Sequence, residues 1–207
     1  AAHGTIFDNG EVKQRNGKPD TRYFLVPIAQ AEIIDTWHTR GMRGTGTNNF
    51  AVNDVFVPEE RTVFRGAPVI TGGPRYRIPQ TLSFAAGDAA IALGVGRSCL
   101  EAFYEHAGKN TQRFAKGLLK NETIVQFKIG EAEAALRSGR AFLMEAVRDM
   151  WSDASAGNVT IEARANLRVA TTHAIRLAAD VVDSVYTLSG AVAIFEGHPM
   201  QRYFQDI

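Results

Sequence analysis

Apolar residues change their spacing partway along the chain. From Leu82 onward they recur in alternating steps of four and three: Leu82, Ala86, Ala89, Leu93, Gly96, Leu100 and Phe103; then Val125, Ile129, Ala132, Leu136, Gly139, Leu143, Ala146 and Met150; then Leu167, Thr171, Ala174, Ala178, Val181, Val185 and Leu188. Each series lies on one face of a long amphipathic helix. Ala-rich seams and short connections predict close antiparallel packing in a bundle. "GHPMQRYFQDI" reads as the first turns of a fourth helix, with Pro199 at an early helical position. Up to about Phe64 the pattern is instead that of strands. "RNGKPD" puts Asn16-Gly17 in a tight hairpin turn, and Tyr23, Phe24, Leu25, Val26 and Ile28 suit a half-buried pleated surface. "NFAVNDVFVP" reads as one strand covered on both faces, Phe50, Val52 and Phe56 on one and Ala51, Val55 and Val57 on the other, stopped by Pro58. Between Arg65 and Pro79 three glycines and three prolines break both periods and mark a domain boundary.

Composition narrows the classes. A chain of 207 residues folded as one unit buries roughly 70% of its unfolded surface. With 23 Lys and Arg against 22 Asp and Glu there is no strong field to draw nucleic acid or an anionic membrane. Cys99 is the sole cysteine, which excludes an intrachain disulfide and a Cys-based metal site and fits a reducing cytoplasm. No signal peptide or membrane span is expected.

Familiar catalytic signatures are missing: no G-x-S-x-G elbow, no G-x-x-x-x-G-K-S/T loop and no H-E-x-x-H helix occurs. His3, His38, His106, His173 and His198 are scattered, so no metal site is expected. Gly94-x-Gly96 begins a dinucleotide fingerprint but sits inside a helical stripe, where glycines let helices approach. Cys99 reads as a small core residue. The stretch "GMRGTGT", Gly41 to Thr47, leads into a strand rather than a helix, so it lacks the helix N-terminus of a phosphate cradle. Two readings stay open for it: a structural turn, or a turn that offers the Arg43 guanidinium and the Thr45 and Thr47 hydroxyls to a polar ligand. "NTQRFAKGLLK" sets Arg113, Lys116 and Lys120 beside Phe114, suited either to a pyrophosphate or to helix C-termini.

The segment "DTWHTRGMRGTGTNNFAVNDVFVPEER" strongly resembles the close of the β-barrel middle domain in the acyl-CoA dehydrogenase superfamily, where a G-x-R-G-T/S-x-S/T turn leads into a strand ending V-x-V-P. "ALGVGRSCLEAF", "VQFKIGEAEAALRSGRAFL" and "LSGAVAIFEGHPMQRYFQDI" resemble, in order, the first two C-terminal helices and the join from third to fourth. The wording W-H-T-x-G-M-R-G-T-G and H-P-x-Q-R-x-x-x-D is nearer the type-2 branch, which includes flavin-dependent monooxygenases.

The resemblance implies an α+β chain: a partial β-barrel middle domain over 1–68, a linker over 69–79 and an up-and-down four-helix bundle, truncated, over 80–207. Both ends look cut through domains, and the N-terminal helical domain is absent. The catalytic glutamate or histidine of the family falls beyond Ile207, so no catalytic residue is expected in this chain. Arg43 falls on the family arginine of the glycine-rich turn, flanked by Thr45 and Thr47, facing flavin and substrate. Phe114 matches the aromatic that meets the FAD pyrophosphate of a neighbouring subunit, with Arg113 shifted and Thr111, Ala115 and Thr123 departing from the family pattern. Ser189 and Gly190 match a turn that touches FAD across the subunit interface, with Gly197, Gln201 and Arg202 nearby. The implied cofactor is FAD, alternatively FMN. The implied activity is α,β-dehydrogenation of an acyl-CoA thioester with an electron-transfer flavoprotein as partner. A first alternative is a two-component monooxygenase served by a flavin reductase and acting on an aromatic or heterocyclic substrate; a second is an inactive oligomerisation module. A homotetramer in the cytoplasm completes the expectation.

Overall fold

Two Asn-Gly pairs shape the N-terminal region of the computed structural model, which describes residues 1–111 and 116–207. Its strands are β1 (Ala2–Thr5), β2 (Phe7–Asp8), β3 (Glu11–Val12), β4 (Gln14–Arg15), β5 (Lys18–Pro19), β6 (Thr21–Phe24), β7 (Glu32–Ile34), β8 (Asn49–Ala51) and β9 (Thr62–Phe64). Asn16-Gly17 joins β4 to β5 as its sequence predicts, and Asn9-Gly10 makes a second hairpin between β2 and β3. All four residues take positive φ, which tight hairpin turns of this hand require. β6 is the middle of an antiparallel sheet ordered β1-β6-β9, and β7 pairs with β8.

Asp20 sits where these strands meet. Backbone bonds Ile6 N–H to Asp20 O, Lys13 N–H to Ile6 O and Asp20 N–H to Lys13 O, at 2.8–2.9 Å, stitch three strands together. Its fully buried carboxylate accepts from Arg22 Nε and Nη2, each at 3.1 Å, and Arg15 Nε stands 3.6 Å away. Arg22 Nη1 also donates to Thr62 Oγ1 on β9, and the Arg15 guanidinium lies 4.9 Å over the Phe64 ring. An ion pair thus ties this region, because among its described residues no hydrophobic side chain is fully buried. The sheets are small and do not close into a barrel among the described residues.

The expected strand through Val57 is not formed. β8 ends at Ala51, Asp54 adopts φ +50°, and Phe56 is 87% exposed. An αL residue turns the chain out of the pleat, so parity there has no sheet to act on.

By internal contacts the chain divides into Ala1–Ile70 and Thr71–Ile207. The second unit holds four helices: α1 (Gln80–Lys109), α2 (Thr123–Ala156), α3 (Ile161–Ser189) and α4 (Pro199–Asp206). All three apolar stripes face its interior, with Leu100, Phe103, Met150, Val182 and Val185 fully buried. Gly96 marks the closest approach. A Cβ built there would meet Leu136 Cδ2 at 2.9 Å and Ala178 Cβ at 3.5 Å, so glycine lets α1 settle against α2 and α3. Gly94 meets nothing. Gly157 in αL ends α2, whose last carbonyls also receive Arg77 Nη1 at Ala154 O, 2.8 Å. The Thr160 hydroxyl caps α3 by accepting from Ala163 N–H.

By length and composition, the segment Ile161–Ile194 is apolar enough to cross a membrane. Ala163, Ala170, Ala174, Ala178, Val181, Val182 and Val185 within it belong to the bundle seam, and a heptad stripe raises mean hydropathy as a lipid-facing helix does.

The Asp20 pair predicts acid behaviour. Hydrogen bonds from Arg22, then its charge and that of Arg15, hold the carboxyl below its ordinary value of 3.8 against the opposing effect of burial. A depressed carboxyl stabilises fully above its unfolded value, and that contribution is lost as pH falls through the folded one. Hydrogen exchange of the β1-β6-β9 amides should therefore accelerate below about pH 4, and Asp20→Asn should remove that step while loosening the sheet at neutral pH.

Candidate functional site

The glycine-rich turn is closed on itself. Asn48 Oδ1 accepts from the N–H groups of Thr36 (3.1 Å) and Trp37 (3.0 Å), and Thr36 Oγ1 accepts from Asn49 N–H. Met42 carbonyl oxygen accepts from Trp37 Nε1, Thr45 N–H and Thr45 Oγ1, all within 3.2 Å. Met42 and Gly46, both in αL, bracket a single 3₁₀ turn, Arg43–Thr45. Thr47 Oγ1 donates to Thr45 Oγ1 at 3.0 Å. The Thr45 and Thr47 hydroxyls therefore hold the loop's shape, whereas Arg43 is exposed and makes no hydrogen bond or ion pair among the described residues. It is the member of the predicted trio presented outward with its donors unspent.

A second feature lies in the helical unit. Up-down-up threading brings the C-terminal ends of α1 and α3 to the same end of the bundle. Between them is a cleft of about 590 Å³ lined by His106, Asn110, Thr111 and Leu119 on one side and Thr187–Val192 on the other. That volume lies within the range of small-molecule sites, roughly 300–1,000 Å³. Ser189 is buried and its hydroxyl donates to Val185 O at 2.8 Å, which leaves only its lone pairs. Gly190 adopts φ +70°, ψ −162°, a conformation only glycine takes without strain, and its N–H closes onto Thr187 O. Asn110 ends α1: its Nδ2 donates to His106 O (2.9 Å) and lies 3.2 Å from His106 Nδ1.

Among the described residues the lining carries no permanent cation, and two helix C-termini add partial negative charge. Arg113 and Phe114, the pyrophosphate residues implied by resemblance, fall outside the described residues. So the structure brings Ser189, Gly190 and Thr111 to one cleft and groups Arg43 with Thr45 and Thr47 in the other unit. Gln201 accepts from the Tyr186 hydroxyl of α3 (3.0 Å), which holds α4 in place, and Arg202 pairs with Asp206 within α4 (3.4 Å).

His106 and Asn110 were not singled out from sequence. Their i, i+4 spacing just before a helix stop was the available signal. His198, treated as one of several scattered histidines, caps α4 by accepting from Met200 N–H at 3.4 Å; a histidine directly before Pro at a helix start marks that position. Cys99 is buried against Met200, Sγ to Sδ 3.6 Å, and burial pushes its thiol up to about 12, so it serves packing and not nucleophilic attack. No group of three or more His, Cys, Asp or Glu able to hold a metal occurs among the described residues. A smaller groove of about 210 Å³ between α2 and α3 contains Lys128, Glu131, Asp180 and Ser184, but Lys128 is already paired with Glu131 at 2.8 Å.

With this geometry in hand, the sequence model for the acyl-CoA dehydrogenase C-terminal domain matches residues 86–207, the region that builds both walls of the cleft. This chain belongs to the acyl-CoA dehydrogenase superfamily. It is 36% identical over 199 residues to an indole-3-acetate monooxygenase of Pseudomonas putida, covering 94% of this chain and 51% of the relative. It is 30% identical over 203 residues to HsaA of Rhodococcus jostii, the oxygenase subunit of a flavin-dependent monooxygenase, covering 93% and 53%. A crystal structure of 3-HSA hydroxylase from Rhodococcus sp. RHA1 superposes with a TM-score of 0.80 at 29% identity, over 95% of this chain and 53% of that one. The chain thus spans about half the length of the relatives it matches. The acyl-CoA dehydrogenase-like architecture, with its helices and small sheets, is the one expected from the motifs.

Gly190→Ala should cost roughly 1–3 kcal/mol in urea unfolding because its backbone is strained for any L side chain. Gly197→Ala, in open space and without positive φ, should stay within about 0.5 kcal/mol.

Proposed function

We propose that this chain forms part of the oxygenase component of a two-component, flavin-dependent monooxygenase acting on an aromatic or heterocyclic small molecule. One observation carries the reading: 36% identity to an indole-3-acetate monooxygenase runs through both units, including the glycine-rich turn and the cleft. The flavin-dependent oxygenase subunit and the hydroxylase structure point the same way. Acyl-CoA dehydrogenation, the first expectation, keeps support from the shared superfamily alone.

Reduced flavin, FAD or FMN, delivered by a separate reductase, would supply the two electrons for oxygen activation. Arg43 is assigned to orient that group or the substrate, since it alone in its turn has unspent donors directed outward. Ser189 and Gly190 shape the cleft wall against which a neutral part of the cofactor packs. Their roles are steric and backbone-based, because the serine hydroxyl and the glycine N–H are already bonded internally. No residue described above is assigned the proton-handling step. The strands over 1–68 are read as the late part of a middle domain, joined through 69–79 to the bundle over 80–207. Exposed Phe84, Ile91, Phe127, Trp151 and Ile161 on the helices suit burial between copies, consistent with a homotetramer, and the cytoplasm remains the compartment proposed.

The discriminating assay uses the polypeptide encoded by this chain with its coding flanks, an NADH-driven flavin reductase and ¹⁸O₂. One labelled oxygen should enter an indole or phenol substrate. Anaerobic bleaching of bound flavin by an acyl-CoA thioester, with enoyl product, would instead establish dehydrogenation. In the same polypeptide Arg43→Ala should lower turnover at least about tenfold, some 1.4 kcal/mol of transition-state binding, and change stability by no more than about 0.5 kcal/mol. Comparable losses in both would return Arg43 to a structural role.

A further inference from the structure

His106 ends α1 and His198 begins α4, and their rings meet edge to face, with centroids 5.2 Å apart and planes at 84°. Each ring is met by a hydrogen-bond donor at Nδ1. The Asn110 atom beside His106 Nδ1 also bonds a backbone carbonyl, which only accepts, so that atom is the amide nitrogen, a donor. His106 Nδ1 must therefore accept. His198 Nδ1 accepts from Met200 N–H as the cap of α4. Both rings consequently carry their single proton on Nε2, and a second proton on either would displace a bond that its Nδ1 already makes.

Electrostatics adds to this. Burial, and then the neighbouring His198, push His106 below its ordinary value of 6.5. The α1 dipole would favour a cation at its C-terminus, but burial and the second ring outweigh it. The remaining charges of the surrounding elements do not compensate. On α1, Glu105 and Lys109 pair with each other; on α4, Arg202 bonds Asp206. Glu196 before α4, Asp183 on α3 and Lys120 ahead of α2 are exposed. Among the described residues only His198 acts electrostatically on His106.

We infer that His106 and His198 form a proton-sensitive latch, which fixes the first turn of α4 against the end of α1 while both rings are neutral and releases that turn on acidification. His106 also lines the cleft. The later part of α4 stays anchored by the Tyr186–Phe204 stack at 4.3 Å. The sign follows from linkage. A histidine depressed in the folded state binds fewer protons than the unfolded chain, so the latch is at full strength above the ordinary histidine range and weakens as pH falls through it.

The latch does not depend on what occupies the cleft, so its test needs no flavin. In the unmodified chain, exchange of the Met200 and Gln201 amides, corrected for intrinsic rates, should accelerate about fivefold between roughly pH 7.5 and 5.5, the equivalent of one lost helix cap. His198→Asn retains a good capping side chain but takes up no proton, and should hold the change below about twofold. Equal acceleration in His198→Asn, or no acceleration in the unmodified chain, would each overturn the latch.

Discussion

The close approach of α1 to α2 and α3 at Gly96 is the contact on which the helical unit depends. Without a Cβ at that position, α1 settles against Leu136 and Ala178, and the stripes of three helices merge into one interior. Because the threading is up-down-up, the same contact fixes the ends of α1 and α3 side by side. The cleft is the space left where the two helices stop. Its walls inherit what helix ends supply: a capping asparagine, a C-terminal glycine in a glycine-only conformation, and carbonyl dipoles that disfavour bare anions.

The N-terminal unit rests on a different kind of constraint. Its apolar side chains point largely outward, and what holds its strands in register is the buried Asp20 carboxylate with two arginines around it. A charge pair of this type fixes geometry because the cost of breaking it is that of an unpaired buried charge. The glycine-rich turn follows the same logic on a smaller scale. Met42 carbonyl and Asn48 amide gather the loop's donors, and two threonine hydroxyls are consumed in the process. What remains for a ligand is the one guanidinium that the loop does not use.

Much of the helical architecture was legible because period is a direct readout of burial. The seven- and eight-residue series in steps of four and three became the buried faces of α1, α2 and α3, and Gly96 was readable as a packing glycine. Asn16-Gly17 announced its hairpin because positive φ at both positions is a local requirement. The strand expected through Phe56 failed for the opposite reason: alternation has meaning only where a neighbouring strand supplies the pleat, and Asp54 turns the chain away. The site was legible in part. Arg43, Ser189 and Gly190 stood out through a family motif, whereas His106, Asn110 and His198 did not, since no spacing rule links a helix end to a helix start some ninety residues later.

By itself, then, the sequence determined the elements with local or periodic codes: three long amphipathic helices, a Pro-started fourth, a hairpin turn and a Gly/Pro boundary. Its motifs also carried the superfamily. Tertiary structure alone decided which ends meet. The cleft between α1 and α3 and the pairing of His106 with His198 arise from contacts between segments distant in the chain, and the spending of Thr45 and Thr47 and the pairing of Asp20 from the folded geometry of nearer residues. Their energies come from desolvation and hydrogen-bond geometry, quantities that exist only once the chain has folded back on itself.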